Sequence, residues 1–461
     1  ASSWNVYVAP TSVGVVGADA QTNATFAPYR LAGATTVVTG SIGATTGSNI
    51  GFLPAAMAGT TVRLIFMWTN NTGGTNPPVA IDNIKLVSRA GGAYFQSIAS
   101  GNYTDPATWD LGYVPSFSDD VQISENHTVN INAKGLGVHD LYIVGTNAFL
   151  NFDVNSDAFS ISNDLAIDGT GARFNSFQGT GSIRQIYVGH DISVSGGGRL
   201  DCSFGYLNLN GSTVQSISVD NTGFFGGTAV GTTSSANTAN VIAFLNISNT
   251  STATPNINWD INGVKIKSGL TLKNARVDLG NNKITIGNYG AITSASSLVF
   301  SLDSGFIGGT IGKWYATGAN PSTGIAPGTE YNNTGQAFPA INAAGENRWA
   351  FVLSPAGGTT QGEIAVQYVD GMGTTPINVT DGAYTITDHY NGAWSISSTD
   401  YANPNATFSV GLYGSGAYFA KDGNSRVMKM ASVVGTHVNG TTTPFAARQG
   451  LTLADITTGS F

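Results

Sequence analysis

Acidic residues in one part of the sequence have the types and spacing that a polysaccharide lyase could use. Such an enzyme needs carboxylates that bind calcium, together with an arginine or lysine that acts as the base. The nearest approach to that set consists of Asp153, Asp157, Asp164 and Asp168, with Arg173 and Arg184. The acids lie in NFDVNSDAF and SNDLAIDG, turn-like segments in which aspartate commonly bonds its own backbone. We therefore predict structural turns, and the candidate ligands for calcium are Asp82, Asp153 and Asp157.

The neighbouring pair Asp119 and Asp120 does not suit a glycoside hydrolase. That reaction needs two carboxylates on one face, whereas neighbours on a strand point to opposite faces. The five histidines stand singly without the spacing of a zinc site, and neither a G-x-S-x-G nor a P-loop motif occurs. We predict that Asp119 and Asp120 are turn or capping residues, and that the chain is not an enzyme.

Exposed aromatic residues could instead bind glycans, because sugar rings stack on aromatic faces. Trp68, Trp349 and Trp394 lie in alternating strands, and we predict that they belong to the core. Trp314 and Tyr315, in GKWYATG, are the two aromatic residues that we predict to be exposed and able to bind a glycan.

The composition favours a folded, all-β chain. Only 10% of the 461 residues are charged, and 60 are glycine. Together with abundant Thr, Ser and Asn, this composition favours short strands and tight turns over helices. The net charge of −8 argues against nucleic acid as a partner, and no apolar run is long enough to span a membrane. The single cysteine, Cys202, is predicted to be buried.

The middle of the chain has the pattern of a β-solenoid. Short β stretches recur about every 20 to 25 residues, the period expected for solenoid coils. Alternate residues within them are apolar, which sends one set into the stack, as in Leu270, Leu272, Val277, Leu279, Ile284 and Ile286. We predict a right-handed parallel β-helix over residues 90–310.

The two flanking segments are predicted to be antiparallel β-sandwiches. Residues 1–89 contain a strand from Val62 to Trp68 and a last strand that begins after Asp82 and Asn83. This closing pattern resembles jelly-roll modules of extracellular proteins, which include carbohydrate-binding and adhesive members. Residues 311–461 hold longer, more aromatic strands between Gly/Pro/Asn turns, among them RWAFVLS, EIAVQYV and ATFSVGLY.

The opening of the middle segment, SGNYTDPATWDLGYVPSFSDDVQI, resembles a motif of exported surface proteins of the Bacteroidetes. The positions that match are Gly101, Asp105, Pro106, Ala107, Trp109, Gly112, Pro115, Asp119, Asp120, Val121 and Ile123. Tyr103 departs from the motif, since tryptophan is common there. The resemblance implies a parallel β-helix with Trp109 in its cap, and export by type IX secretion. The closing segment, VMKMASVVGTHVNGTTTPFAARQGLTLADITTGSF, resembles the module that precedes the C-terminal sorting domain of type IX-secreted proteins and implies the same export route. Ala1 and Phe461 fit either processed ends or the limits of a fragment.

These observations favour a secreted or cell-surface protein that serves as an adhesin, stalk or filament subunit. Its expected partners are other copies of itself, other surface proteins, and the secretion machinery in transit. A carbohydrate-binding surface protein is the alternative, and a polysaccharide lyase or hydrolase on the β-helix is a third. Calcium is the one cofactor that the acidic turns allow.

Overall fold

A computed structural model describes residues 3–10, 30–36, 61–69, 93–175, 183–202, 205–225, 240–287, 297–318, 330–333, 337–354, 357–404, 407–416, 424–429, 433–438 and 446–461. The chain divides into two compact units, Ala1–Ala90 and Gly91–Phe461. In the first unit, three strands form an antiparallel sheet in the order β2-β1-β3: β1 (Ser3–Pro10), β2 (Arg30–Thr36) and β3 (Val62–Thr69). The predicted strand from Val62 to Trp68 is confirmed, whereas Asp82 and the predicted last strand lie outside the described residues.

The second unit begins with a parallel β-solenoid of about seven turns, as predicted. Its strands are β4 (Tyr94–Gln96), β5 (Gly101–Asn102), β6 (Asp120–Ile123), β7 (Thr128–Ile131), β8 (Leu136–Val138), β9 (Leu141–Val144), β10 (Phe149–Phe152), β11 (Ala158–Ile161), β12 (Leu165–Asp168), β13 (Arg173–Asn175), β14 (Arg184–Val188), β15 (Ile192–Ser195), β16 (Arg199–Asp201), β17 (Gly205–Leu209), β18 (Gln215–Val219), β19 (Phe224–Phe225), β20 (Val241–Ser248), β21 (Ile257–Asp260), β22 (Val264–Lys273), β23 (Arg276–Ile286), β24 (Ser297–Ser301) and β25 (Gly305–Tyr315).

The strands of the solenoid lie on three faces. The first face contains β4, β6, β9, β12, β15, β18 and β21, the second β5, β7, β10, β13, β16 and β19, and the third β8, β11, β14 and β17. From β20 onward single strands bend across two faces. Parallel register stacks buried apolar residues into columns, for example Phe159, Ile186, Leu207, Leu245, Leu270 and Leu298 on the third face. These columns form the core, because each coil alone buries too little surface to be stable.

Glycine is required where the first face turns into the second. Gly169 has a φ of +129°, and a Cβ atom there would lie 2.6 Å from the carbonyl oxygen of Gly145 in the preceding coil. Only glycine tolerates both the conformation and the close approach of the coils. The glycines that the sequence places between strands therefore form the solenoid corners.

The start of the solenoid is closed by Trp109 and its neighbours, as the sequence predicts. A 3-10 helix (Pro106–Thr108) is capped by the side chain of Asp105, which accepts a hydrogen bond from the Ala107 amide. Trp109 is 1% exposed, and its indole nitrogen donates to the Tyr103 carbonyl at 2.8 Å. The ring of Tyr103 packs edge-on against Phe159. The cap thus covers the apolar end of the first coils.

The second unit continues as antiparallel sheets that join the solenoid through β25. Their elements are β26 (Glu330–Asn333), β27 (Ala337–Phe338), β28 (Arg348–Leu353), β29 (Gly362–Val369), β30 (Thr374–Asp381), β31 (Tyr384–Tyr390), β32 (Ala393–Thr399), β33 (Phe408–Gly414), β34 (Thr436–His437), β35 (Ala446–Leu451) and the helix α1 (Leu453–Thr457). One sheet has the order β25-β29-β32 and the other β27-β28-β33-β35-β34, while β30 and β31 form a hairpin.

The join between solenoid and sandwich lies within one strand. Ile311 of β25 pairs with Ile284 in parallel register on one side and with Val366 in antiparallel register on the other. The predicted domain boundary between residues 310 and 311 therefore falls inside β25. The two sandwich sheets contact each other where the indole nitrogen of Trp394 donates to the Arg348 carbonyl at 2.8 Å. Trp349 and Trp394 are buried, as predicted.

Candidate functional site: an aspartate and histidine ladder

A column of aspartates and histidines lies at the corner where the third face turns into the first. Four dipeptides occupy equivalent positions immediately before, or at, the start of β6, β9, β12 and β15: Asp119-Asp120, His139-Asp140, Asn163-Asp164 and His190-Asp191. Parallel register places each dipeptide one coil beyond the last. We call these eight residues the corner ladder.

The first part of the ladder joins a histidine to two carboxylates. Nδ1 of His139 lies 2.9 Å from Oδ1 of Asp120 in the preceding coil and 3.4 Å from Oδ2 of Asp140. The hydrogen bond to Asp120 raises the pKa of His139, and the nearby Asp140 carboxylate adds to this rise. Two carboxylates therefore share one imidazole.

The arrangement recurs two coils later. Nδ1 of His190 lies 2.6 Å from Oδ1 of Asp164 in the preceding coil and 3.8 Å from Oδ1 of Asp191. The hydrogen bond to Asp164 is again the main cause that raises the pKa of His190. In the coil between, Asn163 takes the place of histidine, and its side-chain amide donates to Asp140 at 2.8 Å.

The ladder aspartates also bond the backbone of the following coil. Asp140 accepts from the Asp164 amide at 2.8 Å, Asp164 from the Asp191 amide at 3.0 Å, and Asp191 from the Ser216 amide at 2.7 Å. Hydrogen bonds between a charged acceptor and a backbone amide are stronger than neutral ones. The ladder therefore fastens successive coils together, and this is its clearest physical role.

The same groups have the chemistry of metal ligands. In each cluster the three ligand atoms lie within 4.8 Å of one another, in Asp120, His139 and Asp140, and again in Asp164, His190 and Asp191. One imidazole with two carboxylates suits a transition-metal ion such as zinc better than calcium, which prefers oxygen ligands alone. A bound cation would replace the proton that each histidine shares with its carboxylates.

Asp119 lies on the opposite side of the strand from Asp120, as predicted. It is 4% exposed and accepts hydrogen bonds from the backbone amides of Ala93 and Ser116 and from the Ser116 hydroxyl. Asp120 points outward to His139. Within the ladder, Asp119 therefore ties the cap to the first coil, whereas Asp120 bonds the histidine of the next coil.

The acids that the sequence singles out have separate partners. Oδ1 of Asp153 accepts from the Asn155 amide, which is the turn predicted for it. Asp157 pairs with Lys134 at 2.9 Å, and Asp168 accepts from the Ser195 hydroxyl. The predicted base Arg173 binds Asp201 at 2.7 Å, and the guanidinium of Arg184 donates to the Asp153 carbonyl. Asp164 alone belongs to the ladder.

The predicted glycan-binding aromatics are only in part accessible. Tyr315 is 6% exposed and packs against Tyr401 with ring centroids 5.7 Å apart, so the prediction that it is exposed is wrong. The reason is that β25 continues into the sandwich, where β29 and the Tyr401 segment cover it. Trp314, on the other side of the strand, is half-buried. Cys202 is fully buried, as predicted, and burial raises the pKa of its thiol.

The ladder itself has a signal in the sequence. The dipeptides stand before apolar-x-apolar triplets, as D-D-VQI, H-D-LYI, N-D-LAI and H-D-ISV. His139 and His190 are each followed by an aspartate, and the second residue of the dipeptide is aspartate in all four coils. Spacings of 20, 24 and 27 residues hide the repeat, because the excursions between strands differ in length.

Comparisons of the chain with protein-family models, with curated proteins and with solved structures find no match. Among the residues that the structure describes, no helix is long and apolar enough to cross a membrane.

Proposed function

We propose that the chain is a non-enzymatic structural or adhesive protein of the cell exterior, in which the solenoid acts as a rigid spacer. The observation that supports this best is the continuity of the second unit. From the cap at Trp109 to the sandwich, each coil bonds the next, and β25 belongs to both parts. About seven coils with a strand spacing of about 4.8 Å extend about 34 Å along the solenoid axis.

Export and self-association are part of this proposal. Type IX secretion to the surface of a Bacteroidetes cell is proposed only from the resemblance of the motif around Trp109 to that of exported surface proteins. Within the described residues, β2 and β3 are the outer strands of the sheet in the first unit. Strand addition at such an edge would join copies of the chain or attach other surface proteins.

Negative-stain electron microscopy of the full chain tests the structural role. We expect elongated particles, with end-to-end fibres at high protein concentration. Compact round monomers at every concentration would contradict both the spacer and its self-association.

A lyase or hydrolase remains the competing function, and it can be tested directly. The full chain is incubated with a panel of acidic and neutral polysaccharides, with calcium and with a chelator. We expect neither new reducing ends nor unsaturated products. Product release that disappears in Asp164→Asn would show that the ladder is catalytic, and the proposal would then fail.

A further inference from the structure

A cleft with a volume of about 340 Å³ opens on the outside of the solenoid beside the corner ladder. It spans three consecutive coils, because the segments that follow β11, β14 and β17 stack there. The residues that line it include Ser160, Ser162, Tyr187, Gly189, Asn210, Gly211 and Ser212. Its size lies at the small end of ligand pockets, which range over about 300 to 1,000 Å³. A ligand of one or two rings fits this space.

Two glycines in the lining of the cleft allow successive coils to approach each other closely. A Cβ atom at Gly189 would lie 2.3 Å from the Ser162 carbonyl oxygen, and one at Gly211 would lie 2.4 Å from the Gly189 carbonyl oxygen. The coils approach too closely there for any side chain. Backbone atoms of these glycines therefore line part of the cleft, next to the side chains of Tyr187 and Asn210.

The side chains that line the cleft are uncharged, and apart from Ile161 and the ring of Tyr187 they are small and polar. Ser160, Ser162 and Ser212 offer hydroxyl groups, and Asn210 offers an amide that both donates and accepts. The ring of Tyr187 is tethered, because its hydroxyl donates to Oε1 of Gln185 at 2.6 Å. A ring held in place before binding loses little freedom when a ligand stacks on it.

The charge around the cleft selects against acidic ligands. His190 and Asp191 directly follow the Gly189 lining residue, and Asp164 is bonded to His190. This ladder cluster carries two carboxylates for one imidazole, so its net charge is negative whether or not the imidazole is protonated. A uronic acid or sulfated sugar would meet repulsion here, whereas a neutral sugar would not.

We propose that this cleft binds a sugar ring of a neutral glycan, with the ring stacked on Tyr187 and its hydroxyl groups bonded to the serines and Asn210. The site gives the adhesive part of the proposed function a ligand, and its biological role rests on that proposed function. The spacer role depends on particle shape, so the two can fail separately.

Binding of the full chain to a printed array of neutral and acidic oligosaccharides tests the proposal. We expect signals on neutral glycans alone. The best of these neutral oligosaccharides is then titrated by calorimetry against variants. Tyr187→Ala should weaken binding about tenfold or more, as the loss of a stacked aromatic contact does, whereas Tyr187→Phe should keep most of it.

Tyr206→Ala is the matched control, because Tyr206 lies in the next coil on the same face and stacks on Phe244 away from the cleft. Ser162→Phe provides an independent test, since Ser162 is exposed and a larger side chain there fills the cleft without disturbing the core. Equal losses in Tyr187→Ala and Tyr206→Ala, unchanged binding in Ser162→Phe, or an array without neutral-glycan signals would each overturn the proposal.

Discussion

At the scale of single residues, the pKa values of the ladder histidines should differ from that of His437 in the sandwich. Hydrogen bonds to Asp120 and Asp164 raise the pKa values of His139 and His190. Burial, with Arg426 and Arg448 nearby, lowers the pKa of His437. We expect NMR titration to place the two ladder histidines above the usual value of about 6.5 and His437 below it.

The direction of these shifts fixes their effect on stability. A histidine with a raised folded-state pKa stabilises the protein fully below about pH 6.5, and this contribution disappears as the pH rises through the folded-state pKa.

Asp164→Asn removes the charged partner of His190. The substitution should lower the pKa of His190 and leave that of His139 nearly unchanged. An unaltered His190 in this variant would contradict the ladder geometry.

Lys313 gives a second pH-dependent prediction. It is 4% exposed, lies 5.3 Å from the centroid of the Phe338 ring, and burial lowers its pKa to about 7. Between that value and its ordinary 10.5, the unfolded chain binds the proton and the folded chain does not. Stability should therefore rise with pH, by up to about 1.4 kcal/mol per unit.

Lys313→Met keeps the length of the side chain and removes the charge. Denaturant unfolding between about pH 7 and 9 should show a flatter pH dependence for the variant than for the natural chain. The variant should gain most in stability at the acidic end of that range. Parallel curves for the two proteins would show that Lys313 is not titrating in the core.

At the scale of elements, the cap should control the first coils. Trp109→Ala removes the largest ring beneath them and should cost about 3–5 kcal/mol. Hydrogen exchange should increase first in β4 to β7, because each coil is stabilised by its neighbours. Trp109→Phe, which keeps a ring, should cost less. Unchanged exchange in these strands would mean that Trp109 fills space without holding the end closed.

The strands were predictable because their chemistry is local. Leu270, Leu272, Val277 and Leu279 alternate with polar residues, and all four point into the stack. The corner ladder was not predicted, because its contacts depend on the register with which successive coils stack. His139 and His190 come two coils apart only after loops of unequal length have closed. The exposure of Tyr315 was predicted wrongly for the same reason. Its Gly-rich sequence context gives no sign of Tyr401, which packs against it from a distant segment.

At the scale of the whole second unit, the shared strand implies shared stability. Lys283 of β23 pairs with Glu363 of β29, and the Thr285 hydroxyl donates to the same carboxylate at 2.8 Å. These contacts, with the double pairing of β25, connect the last coil to the sandwich. A disturbance in the middle of the solenoid should therefore reach the far sheet.

Leu207→Ala tests this coupling, because Leu207 is fully buried in the middle coils and its truncation should cost about 2–5 kcal/mol. If the second unit opens as one body, global exchange of the β28 and β33 amides should speed up as much as that of β14 and β17. Ser193→Ala, on the outer side of β15, is the control and should change neither. Faster exchange confined to the solenoid would make the sandwich an independent domain, and a spacer hinged at β25 would then replace a rigid one.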